Sequence, residues 1–272
     1  MQGGGADRLL DIGVTLTCWL YFTLGFLVFF FPLYLVAALF SSCKEVAFQR
    51  YNRSFYQGFF ALLRTIAPRQ HWDIDERIGA LRSSVVVCNH RSYLDPLLLI
   101  AHLHRCKTVV KPIFFTLPIF GWVIRTAGYL PATATGRFAR LLLAQMATME
   151  GYLARGGNLF VFPEGTRSRD SSIGALNQGA LKIARQCRAP VAIVCLRNTD
   201  RLFTPGHFVF ASRRPNIISV RLIDQIIPGT SYPSLADLEA QVRRALEQCQ
   251  PETVPQAESH PNHPILPPET AQ

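Results

Sequence analysis

Hydrophobic positions along the chain fall into three regimes. No charged residue lies between Asp11 and Lys44, and YFTLGFLVFFFPLYLVAALF within that interval is almost wholly apolar. The interval holds roughly 30 residues where a spanning helix needs about 20. With Pro32 near its middle, it predicts either one long tilted helix or a broken pair dipping into one leaflet. The stretch is too long for the apolar core of a signal peptide, and no convincing small-x-small cleavage site follows it. Residues 45–67 set Phe48, Phe55, Phe59 and Leu62 among basic residues. This periodicity predicts an amphipathic helix lying along a membrane surface.

From Ser83 onward, short apolar runs alternate with helical patterns. Strands are predicted at 84–88, 107–111, 158–162, 190–196, 206–211 and 217–223, and helices at 95–104, 115–126, 137–155, 177–187 and 234–248. The alternation predicts an α/β fold: an open, largely parallel sheet covered by helices, preceded by the N-terminal membrane-embedded helical segment. The chain divides into an anchor with its basic amphipathic helix (1–67), an α/β domain (68–250) and a tail (251–272). The tail is rich in Pro, Glu, Gln and Ser and is expected to be disordered.

Composition narrows the partners. The 272 residues are 49% apolar and only 17% charged, with a net charge of +10. That excess points to an acidic partner, either nucleic acid, anionic lipid or a phosphorylated substrate. Lys44, Arg50, Arg53, Arg64 and Arg69 follow the apolar stretch against Glu45 alone. A flank of this kind stays cytoplasmic and attracts anionic head groups, so the charge is assigned to membrane lipid and not to nucleic acid. The expected location is a membrane, with the α/β domain facing the cytoplasm. Seven cysteines without a CxxC pair read as reduced core residues. His102, His104 and Cys106 alternate, but no second cluster completes a metal site.

Two clusters of reactive residues stand just after predicted strands, where ligands of open α/β sheets gather. The first is NHRSYLD (89–95). A carboxylate bonded to one imidazole nitrogen fixes the tautomer and raises the basicity of the other, which would make His90 a general base beside Asp95. Asp95 before Pro96 is also an ordinary helix start, with Asp95 as N-cap, and two carboxylate oxygens permit both roles. The second cluster is FPEGTRS (162–168). Pro163 and Gly165 form a tight turn, Arg167 offers a planar fork suited to phosphate, and Thr166 and Ser168 add hydroxyls. Glu164 either accepts from a substrate hydroxyl or pairs with Arg167 in a plain charged loop. There is no GxxxxGK[ST] loop and no GxSxG serine. A base beside a phosphate-type loop, without a protein nucleophile, implies a substrate that brings its own hydroxyl.

His90-x4-Asp95 followed by Phe162-Pro163-Glu164-Gly165-Thr166-Arg167-Ser168 resembles the glycerolipid acyltransferases, specifically the 1-acyl-glycerol-3-phosphate (lysophosphatidic acid) acyltransferases. The four motif blocks of that family map onto 89–95, 111–137, 162–168 and 189–194, under half of the chain. The resemblance implies acyl transfer from acyl-CoA or acyl carrier protein, as co-substrate and not bound cofactor, to the free hydroxyl of a lysophospholipid acceptor, giving phosphatidic acid. It implies His90 as base, Asp95 as its orienter, and Glu164, Gly165, Thr166 and Arg167 as acceptor-binding residues, with Lys111 from the second block. No metal is implied. After Gly128 the family's acid and arginine are missing: the chain reads GYLPATATGR, with Arg137 displaced by a few residues. The alternatives are another lysolipid or glycerol 3-phosphate as acceptor, an acyl-thioester hydrolase, and a non-catalytic membrane lipid-binding protein.

Overall fold

The computed structural model describes residues 5–133, 135–164, 176–229 and 232–249. Among the described residues there are seven strands: β1 (Gln70–Ile74), β2 (Val85–Cys88), β3 (Cys106–Val110), β4 (Leu130–Pro131), β5 (Asn158–Val161), β6 (Val191–Arg197) and β7 (Asn216–Ile226). They form one sheet in the order β1-β7-β6-β2-β5-β3-β4. All pairings are parallel except β6 with β7. The open, largely parallel sheet of the sequence reading is therefore present, with one antiparallel seam.

The central strands are apolar on both faces because both are covered. Val85 and Val87 pack with Leu159, Val191 and Ile193 on one side of the sheet. Val86 and Cys88 pack with Phe160, Ala192 and Val194 on the other. Helices Met149–Ala154, Gly179–Gln186 and Leu235–Glu247 cover the first side. Helices Lys44–Ile66, Leu94–His102 and Pro118–Thr126 cover the second. Each wholly buried valine or leucine is worth roughly 1.5–3 kcal/mol relative to exposure.

Three expectations change. Residues 206–211 form no strand. Their alternation serves another surface: Phe208 stacks on Trp19 at 5.5 Å, and Phe210 is buried against Phe203. β1 was not predicted, since QHWDI has only two large apolar residues, yet it pairs in parallel with β7. The third concerns helix Lys44–Ile66. It exists, but Phe48, Phe55, Phe59, Phe60 and Leu63 are buried within the protein and do not face a membrane surface. Its stripe is covered by the domain on one side and by the apolar helix on the other.

That apolar helix is continuous from Gly5 to Phe40, so it is one long element and not a broken pair. Its turns from Tyr21 to Phe30 are wound as π-helix, and the Phe31 N–H donates to the Phe26 carbonyl. A proline inside a helix crowds the carbonyl four residues earlier, and the looser turns ahead of Pro32 accommodate it. Tyr21, Phe22, Phe26, Phe30 and Tyr34 pack on helix Lys44–Ile66, with Phe22 meeting Phe59 at 4.7 Å and Tyr34 meeting Phe48 at 4.9 Å. At its start, Asp11 accepts from Ser212 Oγ at 2.6 Å and from the Arg213 N–H at 3.0 Å.

A buried polar chain ties these helices to the sheet. Tyr34 donates to Asn52 Oδ1 at 2.6 Å, Asn52 Nδ2 donates to Tyr129 at 3.2 Å, and Gln49 Nε2 donates to the Ala127 carbonyl at 2.8 Å. Lys107, wholly buried on β3, sits 3.0 Å from Glu45 and donates to Gln145 at 2.9 Å. Burial lowers the Lys107 pKa, and the Glu45 charge opposes that shift. Gly128 closes over this pair with φ +78°, and a Cβ there would lie 2.7 Å from both Glu45 Oε2 and Lys107 Cε. Gly128→Ala is therefore expected to destabilise the fold by at least roughly 1–2 kcal/mol from the left-handed backbone alone. Thermal unfolding of the detergent-solubilised chain checks this, and Gly136→Ala is the comparison, since φ is also positive there but nothing lies within 4 Å.

Candidate active site

The first reactive cluster and the described start of the second, 162–164, lie at the carboxyl edge of the parallel strands. β2 ends at Cys88 and leads into 89–95, and β5 ends at Val161 and leads into 162–164. These strands are neighbours, so the two segments meet side by side. β3 pairs with the other side of β5 and ends just before Lys111. Adjacent strands stand about 4.8 Å apart, so Lys111 belongs to the same edge two strands from His90. It is exposed there. Gly165, Thr166, Arg167 and Ser168 lie outside the described residues.

Local structure explains how His90 is presented. The Asn89 side chain donates to the Leu196 carbonyl and accepts from the Leu196 N–H, both at 2.8 Å. An amide side chain thereby continues the β2–β6 ladder for one more step, while the backbone of 89–93 turns away. The His90 ring stacks on Phe162 with centroids 4.2 Å apart and planes 21° apart.

Asp95 is wholly buried, and its hydrogen bonds order this loop and tie it to the turn after β6. Oδ2 lies 2.9 Å from His90 Nδ1 and accepts from the backbone N–H groups of Arg91 at 2.6 Å and Ser92 at 2.7 Å. Oδ1 accepts from Thr199 Oγ1 at 2.6 Å. This is not the geometry of an N-cap, whose side chain accepts from N–H groups two or three residues ahead. Asp95 sits inside helix Leu94–His102 and reaches back to residues before it. The Ser92 hydroxyl accepts instead from the Leu94 N–H at 3.3 Å and donates to the Phe203 carbonyl at 2.8 Å. Ser92 is buried and so occupied, which removes it as a nucleophile.

An ionised carboxylate can only accept, so it fixes the hydrogen of His90 on Nδ1 and leaves the Nε2 lone pair to take a proton. Burial pushes the Glu164 carboxyl up from its ordinary range, while the His90 and Arg91 charges pull it back. Glu164 is thus an electrostatic neighbour of the histidine. Arg91 pairs with Asp200 at 3.4 Å. The Cys88 thiol beneath the loop is pushed well above the usual thiol range, by burial first and then by the Asp95 charge, so it stays protonated. Among the described residues, no group of three or more His, Cys, Asp or Glu side chains gathers as for a metal ion.

Thr199 and Asp200 were not anticipated. They open the turn of helix Thr199–Leu202 just beyond β6, after Asn198 in left-handed conformation (φ 62°). The signal was present: RNTD is another polar group immediately after an apolar strand, like the two clusters already singled out. Only pairing β6 beside β2 places it against Asp95.

A family model described as Acyltransferase matches residues 71–197. A chloroplastic 1-acyl-sn-glycerol-3-phosphate acyltransferase of Brassica napus is 30% identical over 196 residues, covering 70% of this chain and 54% of that protein. Another, from Arabidopsis thaliana, is 30% identical over 164 residues, covering 58% of this chain and 46% of its own length. The chain thus spans about half the length of the curated relatives it matches. Among solved structures, the 1-acyl-sn-glycerophosphate acyltransferase PlsC of Thermotoga maritima superposes with a TM-score of 0.66 at 22% identity, covering 89% of this chain and 97% of that one. That likeness is one of fold. Joined to the domain match and the sequence relatives, it places the chain in the glycerolipid acyltransferase family.

Proposed function

We propose that this protein is an O-acyltransferase that moves a fatty acyl group from an acyl thioester, on coenzyme A or acyl carrier protein, to the free hydroxyl of 1-acyl-glycerol-3-phosphate. The product is phosphatidic acid, made for phospholipid biosynthesis. One observation carries the reading: His90 Nδ1 lies 2.9 Å from a wholly buried carboxylate, at a sheet edge shared with Phe162 and Glu164.

The acceptor hydroxyl gives its proton to His90 Nε2 as its oxygen attacks the thioester carbonyl. An O–C bond forms, and the carbonyl electrons move onto oxygen, where backbone N–H groups can stabilise them. The C–S bond then breaks, and His90 returns the proton to the departing thiolate. Asp95 holds the ring in one tautomer and offsets the positive charge that develops on it. Thr199 is a positioning residue that acts through Asp95. Glu164, with Gly165, Thr166 and Arg167, is assigned to the acceptor's glycerol and phosphate on the strength of the motif, and Lys111 to the same anionic substrate from the neighbouring strand. The thioester is a co-substrate, and no resident cofactor takes part.

We also infer that the protein is membrane-attached, with the catalytic edge on the cytoplasmic side. Helix Gly5–Phe40 leaves Leu9, Leu16, Leu24, Val28, Phe29 and Leu39 exposed along its length. It is fastened near its start by Asp11 to Ser212 of the α/β domain, and near its end by Tyr34 to Asn52 of helix Lys44–Ile66, which in turn bonds Tyr129 of that domain. A helix held along the domain at both ends supports contact with one leaflet more than a perpendicular span.

In purified protein given an acyl thioester and lysophosphatidate, His90→Ala is expected to cut turnover by about 10²–10⁴-fold, the usual value of general-base assistance, with apparent KM little changed. Near-normal turnover in a folded variant would end this mechanism. Free fatty acid released at the same rate with and without acceptor would favour the thioester hydrolase. Thr199→Val removes the only partner of Asp95 Oδ1 among the described residues, and a lost hydrogen bond to a buried charge costs about 1.5–3 kcal/mol. Turnover should fall roughly ten-fold or more, with KM for both substrates held and Thr199→Ser recovering most of the loss. Equal activity in the Val and Ser variants would remove Thr199 from the mechanism. Arg167→Lys keeps the charge but loses the planar fork. It is expected to raise KM for the phosphorylated acceptor by ~10-fold or more while sparing the thioester, and an unchanged acceptor KM would take phosphate binding away from Arg167.

A further inference from the structure

The segment after β3 has a surface that neither the sheet nor the mechanism explains. Residues Pro112–Thr116 form a 3₁₀ turn that leads through Leu117 into helix Pro118–Thr126. Within nine positions, Ile113 is 63% exposed, Phe114 40%, Leu117 43% and Phe120 39%. Large apolar side chains clustered on a surface mark an interaction site.

The segment is firmly built. Phe115 is buried and packs against Phe138 at 5.6 Å, and the Arg125 side chain donates to the Phe115 carbonyl at 3.1 Å. Gly121 lets that carbonyl approach, since a Cβ there would lie 2.5 Å from it. Phe114 and Phe120 meet edge to face at 5.9 Å. The apolar side chains are thus displayed outward by a rigid turn with a buried anchor.

Two observations say what covers this surface. First, it continues the apolar helix: Phe31 meets Trp122, two residues beyond Phe120, at 6.3 Å. Second, its borders are cationic. From Pro96 to Met149 there is no acidic residue, and the exposed Lys111 and Arg125 stand on either side of the turn. An apolar tip within a basic border is complementary to a bilayer leaflet carrying anionic head groups.

We propose that residues 112–120 are a second membrane-inserting element, which enters the same leaflet as the exposed side of helix Gly5–Phe40. The proposal rests on the membrane attachment inferred above and extends it to the catalytic edge itself. The turn follows β3 on the edge where β2 presents His90. Anchoring from both the helix and this turn holds that edge against the lipid surface, so a lipid hydroxyl reaches His90 without leaving the interface.

The test uses the full chain reconstituted in vesicles of phosphatidylcholine and phosphatidylglycerol whose acyl chains carry bromine, which quenches tryptophan on contact. Phe114→Trp and, separately, Leu117→Trp add a tryptophan to the native Trp19, Trp72 and Trp122. Two positions guard against one variant failing to fold, and thermal unfolding confirms both. The expected result is that the emission added over the parent chain falls at least two-fold in brominated relative to unbrominated vesicles. Added emission that bromine leaves unchanged, in protein that floats with the vesicles, overturns insertion of this turn while attachment through the helix stands. Protein that does not float with the vesicles at all overturns both this proposal and the attachment on which it rests.

Discussion

A carboxylate with no access to water must find its hydrogen bonds inside the protein, and the carboxyl edge of the sheet beside β2 is organised around that demand at Asp95. Leaving such a charge unpaired costs several kcal/mol, so the loop, the histidine and the end of β6 are drawn to it. Arg91 and Ser92 give their backbone N–H groups, His90 gives Nδ1, and Thr199 gives its hydroxyl. These four donors come from two separate parts of the chain. The same set of bonds therefore shapes the turn after β2, fixes the tautomer of His90 and ties β6 to the site. Stability and preorganisation share a cause here.

The second buried charge has a different task. Lys107 meets Glu45 from helix Lys44–Ile66 and Gln145 from helix Ala139–Ala147, and its ammonium lies 4.4 Å from the centre of the Tyr152 ring. Together with Gln49, Asn52 and Tyr34, it forms polar contacts inside an otherwise aromatic interface. Aromatic packing alone would hold helix Gly5–Phe40 and helix Lys44–Ile66 to the domain in many registers. Directional bonds to Ala127, Tyr129 and Glu45 select one, and so define which side of the apolar helix faces outward.

These two devices act on one geometric frame. Parallel strands β2, β5 and β3 end on the same edge, which brings His90, Glu164 and Lys111 into a row. The exposed apolar turn 112–120 rises from that row. Under the proposed membrane insertion of that turn, the proposed reacting groups meet where the protein meets lipid. That is where an acceptor with one long acyl chain and a charged head would be held, its chain in the leaflet and its phosphate at the polar border.

Much of this was legible in residue order because it is local. Continuous apolar runs and period-3.6 patterns revealed the central strands and helices, since each central strand buries its residues against layers on both faces. His90 and Asp95 are five residues apart, and a short turn suffices to join them, so their pairing could be anticipated. The long uncharged run foretold the apolar helix, though its continuity past Pro32 depends on π-wound turns that no residue pattern announces. Contacts between distant segments were decided by tertiary structure alone. Thr199 reaches Asp95 only because β6 pairs with β2, and HFVFA becomes a docking surface for Thr15 and Trp19 and not a strand. Helix Lys44–Ile66 shows the difference most plainly. Its amphipathic stripe was readable in the sequence, but a stripe says only that a face must leave water, and packing chose the protein interior over the lipid.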